Sequence, residues 1–220
     1  MSVLVEGCVE SLADAQAAAR GGADRLELCA DLSVGGTTPA ADLIRAVKAR
    51  VFIPVFVMAR PRGGSFVYDA AEVEQTHRHI DAVIAAGADG VVVGALTPAN
   101  EIDVPSLRGF VARAGNVAVT FHRAFDELAD PSRGLETLIA AGVQRVLTAG
   151  GRGTALDGAE TLESLVEQAG DRIVVLAGGK VRGHNARAII ARTGVRELHA
   201  RCETNASQIA EIVDVARSEG

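Results

Sequence analysis

Three observations predict an α/β chain folded as a (β/α)8 barrel, one compact domain over residues 1–220. Strand-like apolar runs alternate with Ala-rich helical patterns along the whole chain, and one Gly-containing punctuation mark closes four of those helices. The 220 residues also divide into eight units of about 27, which suits a compact βα repeat. An open Rossmann-like sheet is the competitor, but six strands would suit it better than eight. Neither a G-x-G-x-x-G fingerprint nor a Walker P-loop occurs, so no nucleotide cofactor is expected.

The elements follow in order. The first strand lies near 3–8 (Val3-Leu4-Val5-Glu6-Gly7-Cys8), and Gly21-Gly22-Ala23-Asp24 closes the helix after it. The second strand lies near 25–29 and the third near 53–59. Ala86-Gly87-Ala88-Asp89 introduces the fourth, near 90–94. The fifth, near 117–122, ends abruptly in His122 and Arg123, with Asp126 three residues beyond and Pro131 opening the next helical pattern. Ala141-Gly142-Val143-Gln144 leads to the sixth strand near 145–149, and the seventh lies near 172–177. Thr193-Gly194-Val195-Arg196 leads to the eighth, near 196–200, and a helix near 204–218 follows it. Gly just past the last helical turn, followed by a short aliphatic strand, is an αβ loop.

Composition narrows the function. A formal charge of −6 argues against nucleic-acid partners, which need a net basic surface. No apolar run approaches the roughly 20 residues that cross a bilayer, and the first residues lack a signal-peptide pattern. Three Cys are too few and too odd for a disulfide framework. The expectation is a cytoplasmic protein with reduced thiols and no membrane or nucleic-acid partner.

In such a barrel the chemistry belongs at the C-terminal strand ends. Glu6 and Cys8 end the first strand, and Glu27 and Cys29 end the second. Alternation places Glu27 and Cys29 inside, with Leu26 and Leu28 toward the helices. A carboxylate is seldom buried without a partner. Arg60 and Arg62 after the third strand, His122 and Arg123 after the fifth, and His199 and Arg201 on the eighth supply cations. Glu6, Glu27, His122, Asp126 and His199 are therefore candidate acid–base groups. Arg60, Arg62 and Arg201 are candidate anion contacts, because guanidinium suits carboxylate and phosphate. Gly178 and Gly179 after the seventh strand, with Asn185 opening the next helix, are candidate phosphate contacts. The Gly-rich turn Thr148 to Gly153 could act as a lid or second anion contact. One reading is an enzyme acting on a small phosphorylated or carboxylated metabolite; the bland one is that Glu6 and Glu27 pair with cations to hold the barrel.

The chain resembles the CutC family, proteins named for copper homeostasis. The resemblance rests on Gly22 to Cys29, Gly35-Gly36-Thr37-Thr38-Pro39, Arg60 to Tyr68, Val119 to Asp126 and Arg145 to Gly150, which spread over most of the chain. It implies a TIM barrel, a cytoplasmic location, self-association into a homo-oligomer, and copper as a bound ion. It further implies that Cys8 and Cys29 are Cu(I) ligands, consistent with the preference of Cu(I) for thiolates. On adjacent strands they would lie about 4.8 Å apart laterally. After the eighth strand the chain departs from the family pattern, reading Glu197-Leu198-His199-Ala200-Arg201-Cys202-Glu203 where many relatives carry a longer, Ser-containing segment. Cys202 is a possible third thiolate.

Overall fold

The structure is a computed structural model that describes residues 3–151, 153–202 and 206–218. Eight parallel strands, in the order β1 to β8, close into one barrel, with β8 pairing back onto β1. The first half runs β1 (Leu4–Val9), α1 (Leu12–Arg20), β2 (Arg25–Leu28), α2 (Ala41–Lys48), β3 (Val55–Met58), α3 (Ala70–Ala85), β4 (Gly90–Val93) and α4 (Val104–Ala114). The second runs β5 (Ala118–Phe121), α5 (Pro131–Ala140), β6 (Arg145–Thr148), α6 (Ala159–Ala169), β7 (Val174–Ala177), α7 (Gly183–Thr193), β8 (Glu197–Arg201) and α8 (Ala206–Ser218). Of the closing helix expected near 204–218, residues 204–205 lie outside the described residues.

The repeated punctuation has a physical cause. Its Gly residues take positive φ, +87° at Gly22 and +99° at Gly87, where a side chain would be strained. The residue two places later caps the neighbouring strand. Asp24 accepts a hydrogen bond from the Val5 nitrogen at 2.9 Å, and Asp89 from that of Val55 at 2.7 Å. Gln144 does the same for Val119 at 2.7 Å. Three of the four marks thus satisfy a backbone donor at the N-terminal end of the preceding strand with a side chain. At α5, Asp130 caps the Arg133 nitrogen at 3.0 Å and Pro131 takes the first turn, where its missing N–H costs nothing.

Strand alternation separates two apolar regions. Val5, Leu26, Leu28, Val57, Val93, Phe121 and Leu198 belong to the main core shared with the helices. Cys8, Cys29, Phe56, Met58 and Val92 form a second, smaller cluster inside the barrel. Below them the interior is charged. Arg25 donates to Glu6 and, at 2.6 Å, to Glu197; Arg145 donates to Glu197 at 2.7 Å. Both guanidiniums also lie close to the Phe56 ring, 5.0 Å from its centroid for Arg25 and 5.2 Å for Arg145. The ring fits because β4 begins with Gly90: a Cβ there would meet the ring at 2.6 Å.

Gly90→Ala should therefore overpack the barrel and destabilise it by about 1–3 kcal/mol in urea unfolding. Combining it with Phe56→Leu should cost less than the sum of the single changes. Strict additivity would show that the two positions do not compete for space.

Candidate active site

At the C-terminal mouth the strands enclose a cavity of about 740 Å³, within the size range of small-molecule sites. Cys8, Glu27, Arg60, His122, Asp126 and His199 contribute to its lining, together with Met58, Phe66 and Leu147. Arg62, Arg201, Gly178, Gly179, Asn185, Cys29 and Cys202 do not.

The floor is a chain of ionisable groups on β1, β2 and β8. Register sets Glu6 beside Arg25 and His199, and Cys8 beside Glu27. Cys8 thus has Glu27, not Cys29, as its lateral partner on β2, because the two strands are offset by one alternation step. Glu6 Oε1 meets His199 Nδ1 at 2.8 Å, and His199 Nε2 lies 3.7 Å from Glu27 Oε2. Cys29 Sγ donates to Glu27 Oε2 at 3.6 Å, while Glu27 Oε1 is buried without a partner.

These contacts set the charges. Burial raises the Glu6 pKa, but the His199 hydrogen bond and the Arg25 charge outweigh it and bring the carboxyl down to about 2. Burial opposes protonation of His199, yet the Glu27 and Glu6 carboxylates lift it well above its ordinary 6.5. Burial raises Glu27, with His199 working against it. The hydrogen bond with Cys29, then burial, pushes Cys8 well above its ordinary 9.0. At Cys29 the bond with Cys8 lowers the pKa, but burial and the Glu27 carboxylate raise it to about 11. Both thiols are protonated at rest.

The opposite wall carries His122. Its ring sits over Gly94, where a Cβ would come within 2.3 Å, and packs on Phe66 at 4.9 Å. Nδ1 accepts from the Ala124 nitrogen at 3.1 Å, which leaves Nε2–H as the donor; Nε2 is buried and unpartnered. Burial, reinforced by the Arg60 charge, lowers this histidine to about 3, so it is neutral near pH 7. Arg60 stacks over the Phe66 ring and donates to the carbonyls of Val34, Gly36 and Gly64. Its Nε remains buried and unpartnered.

The remaining sequence candidates are held by local partners. Asp126 accepts from Thr148 Oγ1 at 2.6 Å, Ala149 N at 2.9 Å and Gly151 N at 3.3 Å, and from Arg123 at 2.7 Å. It therefore organises the turn after β6. Arg62 pairs with Glu72 and three carbonyls, and Arg201 faces Glu10 at 3.5 Å. The Gly178 nitrogen bonds to the Thr148 carbonyl, and a Cβ there would strike Leu147 at 2.6 Å. Asn185 Oδ1 accepts from the Arg182 nitrogen at 2.8 Å, three residues earlier, at the start of α7. Cys202 belongs to the outer core, on the other face from Cys8 and Cys29. Sequence reasoning passed over Arg25, Phe66 and Glu197; Arg25 and Glu197 meet across 172 positions, and Phe66 meets His122 from another strand end.

An eight-stranded parallel barrel with an ionisable pocket at its C-terminal mouth defines the TIM-barrel class. The chain belongs to the CutC family, whose model matches residues 3–204. A family protein CutC of Xanthomonas campestris pv. campestris (strain 8004) is 47% identical over 196 residues, 89% of this chain and 82% of its own. A human relative named copper homeostasis protein cutC homolog is also 47% identical over 196 residues, 89% of this chain and 72% of its own. The solved structure of CutC from Streptococcus agalactiae is 32% identical, with a TM-score of 0.85 over 93% of this chain and 99% of its own. A 3-hexulose-6-phosphate synthase at 20% identity (TM-score 0.67, covering 98% and 99%) shares the fold alone.

The neutral state of His122 has a measurable consequence. Its folded pKa lies near 3 against 6.5 in the free residue. Between these values the unfolded chain binds the extra proton, so this residue's contribution is full above pH 6.5 and is lost as pH falls. His122→Gln should therefore gain on the wild type as pH drops from 6.5 to 4.5, by about 1.4 kcal/mol per pH unit in urea unfolding. A pH-independent difference between the two proteins would contradict a buried, neutral His122.

Proposed function

We propose that the barrel mouth is the active site of an enzyme that moves protons on a small anionic metabolite, with Glu27 as the proton acceptor and His199 as the donor. One observation carries the reading. Glu27 Oε1, His122 Nε2 and Arg60 Nε are all buried without partners, and all three residues line one ligand-sized cavity. Unsatisfied buried polar atoms cost about 1–3 kcal/mol each, so three at one cavity are explained by a ligand that completes them. The two donors, Arg60 and His122, suit a carboxylate or other oxyanion. Glu27 and the His199 imidazolium supply a base and an acid side by side. Gly178 and Gly179 lie outside the lining, so carboxylate fits the cavity better than phosphate.

The test is deuterium wash-in from D2O, followed by proton NMR, over a panel of small 2-oxo acids and sugar phosphates. Wild-type protein should exchange the hydrogen beside the carbonyl of a panel compound, and Glu27→Gln should slow that exchange about 100-fold or more. Equal exchange in both proteins would remove Glu27 from the chemistry.

Copper is a second reading, favoured by the relatives' naming and by one geometric fact. Cys8, Glu27 and His199 each offer a ligand atom, all within 4.8 Å of one another. Thiol and imidazole donors fit copper in kind, and Cys29 lies beside them. Both thiols must lose protons that burial holds in place, and His199 must give up its charge, so loading would be strongly pH-dependent. Anaerobic Cu(I) titration against a competing chelator tests this: Cys8→Ser with Cys29→Ser should abolish competition. Equal affinity in the wild type and the double variant would rule these ligands out. The wider reading keeps the protein in a reducing cytoplasm, self-associated like its relatives are expected to be, without nucleic-acid or membrane partners. No helix among the described residues is long and apolar enough to cross a membrane.

A further inference from the structure

The acid–base reading leaves Cys8 without a task, although it shares the floor of the cavity with Glu27 and His199. Three facts separate it from an ordinary core thiol. Cys8 lines the cavity, whereas Cys29 and Cys202 do not. Its sulfur lies within 4.8 Å of both a Glu27 carboxylate oxygen and a His199 ring nitrogen. Register sets Glu27 directly beside Cys8, so a carboxylate that can accept a proton lies next to the thiol. On the far side of the imidazole, Glu6 fixes Nδ1 at 2.8 Å and leaves Nε2 toward Glu27. A nucleophile, a proton acceptor, a proton donor and a group that orients the donor are thus collected on three adjacent strands, the arrangement that covalent catalysis requires.

We propose that Cys8 is a nucleophile that adds to the carbonyl carbon of a small oxo acid bound in the cavity. This deepens the acid–base reading above and rests on it. The Cys8 Sγ–carbon bond forms as the carbonyl π bond breaks. The thiol proton passes to a Glu27 carboxylate oxygen, and the His199 Nε2 proton passes to the former carbonyl oxygen. The product is a thiohemiacetal or thiohemiketal. No electrons leave the system, and reversal restores every group. Arg60 and His122 are the cavity-lining donors that suit the substrate carboxylate.

Two probes test this on the intact protein. Iodoacetamide needs no metabolite: the sulfur–carbon bond forms, iodide leaves and the thiol proton goes to Glu27. Peptide mass spectrometry should show Cys8 alkylated on the order of tenfold faster than Cys29 or Cys202. Glu27→Gln, which keeps the side-chain volume, should slow Cys8 by about 100-fold. Unchanged slow labelling of Cys202, which belongs to the outer core, reports in the same digest that the variant is folded. The second probe is [2-13C]glyoxylate, whose labelled carbon should move to a tetrahedral resonance with wild type and not with Cys8→Ala. Cys8 labelling that is unchanged in Glu27→Gln, or an adduct that persists in Cys8→Ala, overturns the proposal. Deuterium exchange that proceeds without any glyoxylate adduct overturns the nucleophile and leaves the acid–base site standing. An adduct without exchange on any panel compound supports the nucleophile and removes the proton-transfer reaction.

Discussion

Everything at the mouth of this barrel depends on a charge buried beneath it. Glu6, at 2% exposure, is held ionised by Arg25 on β2 and His199 on β8, and Arg25 is held in turn by Glu197, which also binds Arg145. Buried charges are tolerated only in such closed sets, and removing one member of a buried pair costs about 3–5 kcal/mol. The set spans β1, β2, β6 and β8, so it ties both sides of the closure together. It also fixes an electrostatic sequence: the Glu27 and Glu6 carboxylates keep His199 cationic, and cationic His199 lies beside Cys8 as well. The state of the functional groups is inherited from the layer below.

The second constraint is space. A barrel this small has room for large inward side chains only where a neighbouring strand gives up its own. Gly90 yields to Phe56, Gly94 yields to His122, and Gly178 yields to Leu147 and His199. Two of these glycines thereby place the two histidines of the pocket. The glycines of β4 and of the β7 end are therefore part of the site without touching a ligand, because each is the absence that lets a ring sit at its position.

Much of the architecture was legible in the sequence, because strand alternation and αβ punctuation are local signals. Eight strands and their order follow from them, and the inward set of Glu6, Cys8, Glu27, His122 and His199 follows from period two. The partners were not legible. Arg25 and Glu197 meet across 172 positions only because β8 closes onto β1 with one particular register. The same limit applies to the anion-binding candidates. Arg62 looked available until Glu72, ten residues on, took one edge of its guanidinium, and the Gly178 N–H looked free until β6 used it. A cation in a loop announces its charge in the sequence but not which acceptor will claim it.

The family places the fold beyond question, and fold alone leaves the chemistry open. What narrows it is the coupling from Glu6 through His199 to Glu27, and that coupling can be observed directly. Nitrogen-15 NMR of selectively labelled histidine, followed across pH, reads the protonation of His199. Both of its ring nitrogens should carry protons at pH 7.5 in the wild type, and Glu6→Gln, which removes one of the two carboxylates that favour the charged ring, should lower its pKa. A His199 that titrates at the ordinary value of about 6.5 in the wild type would contradict the account.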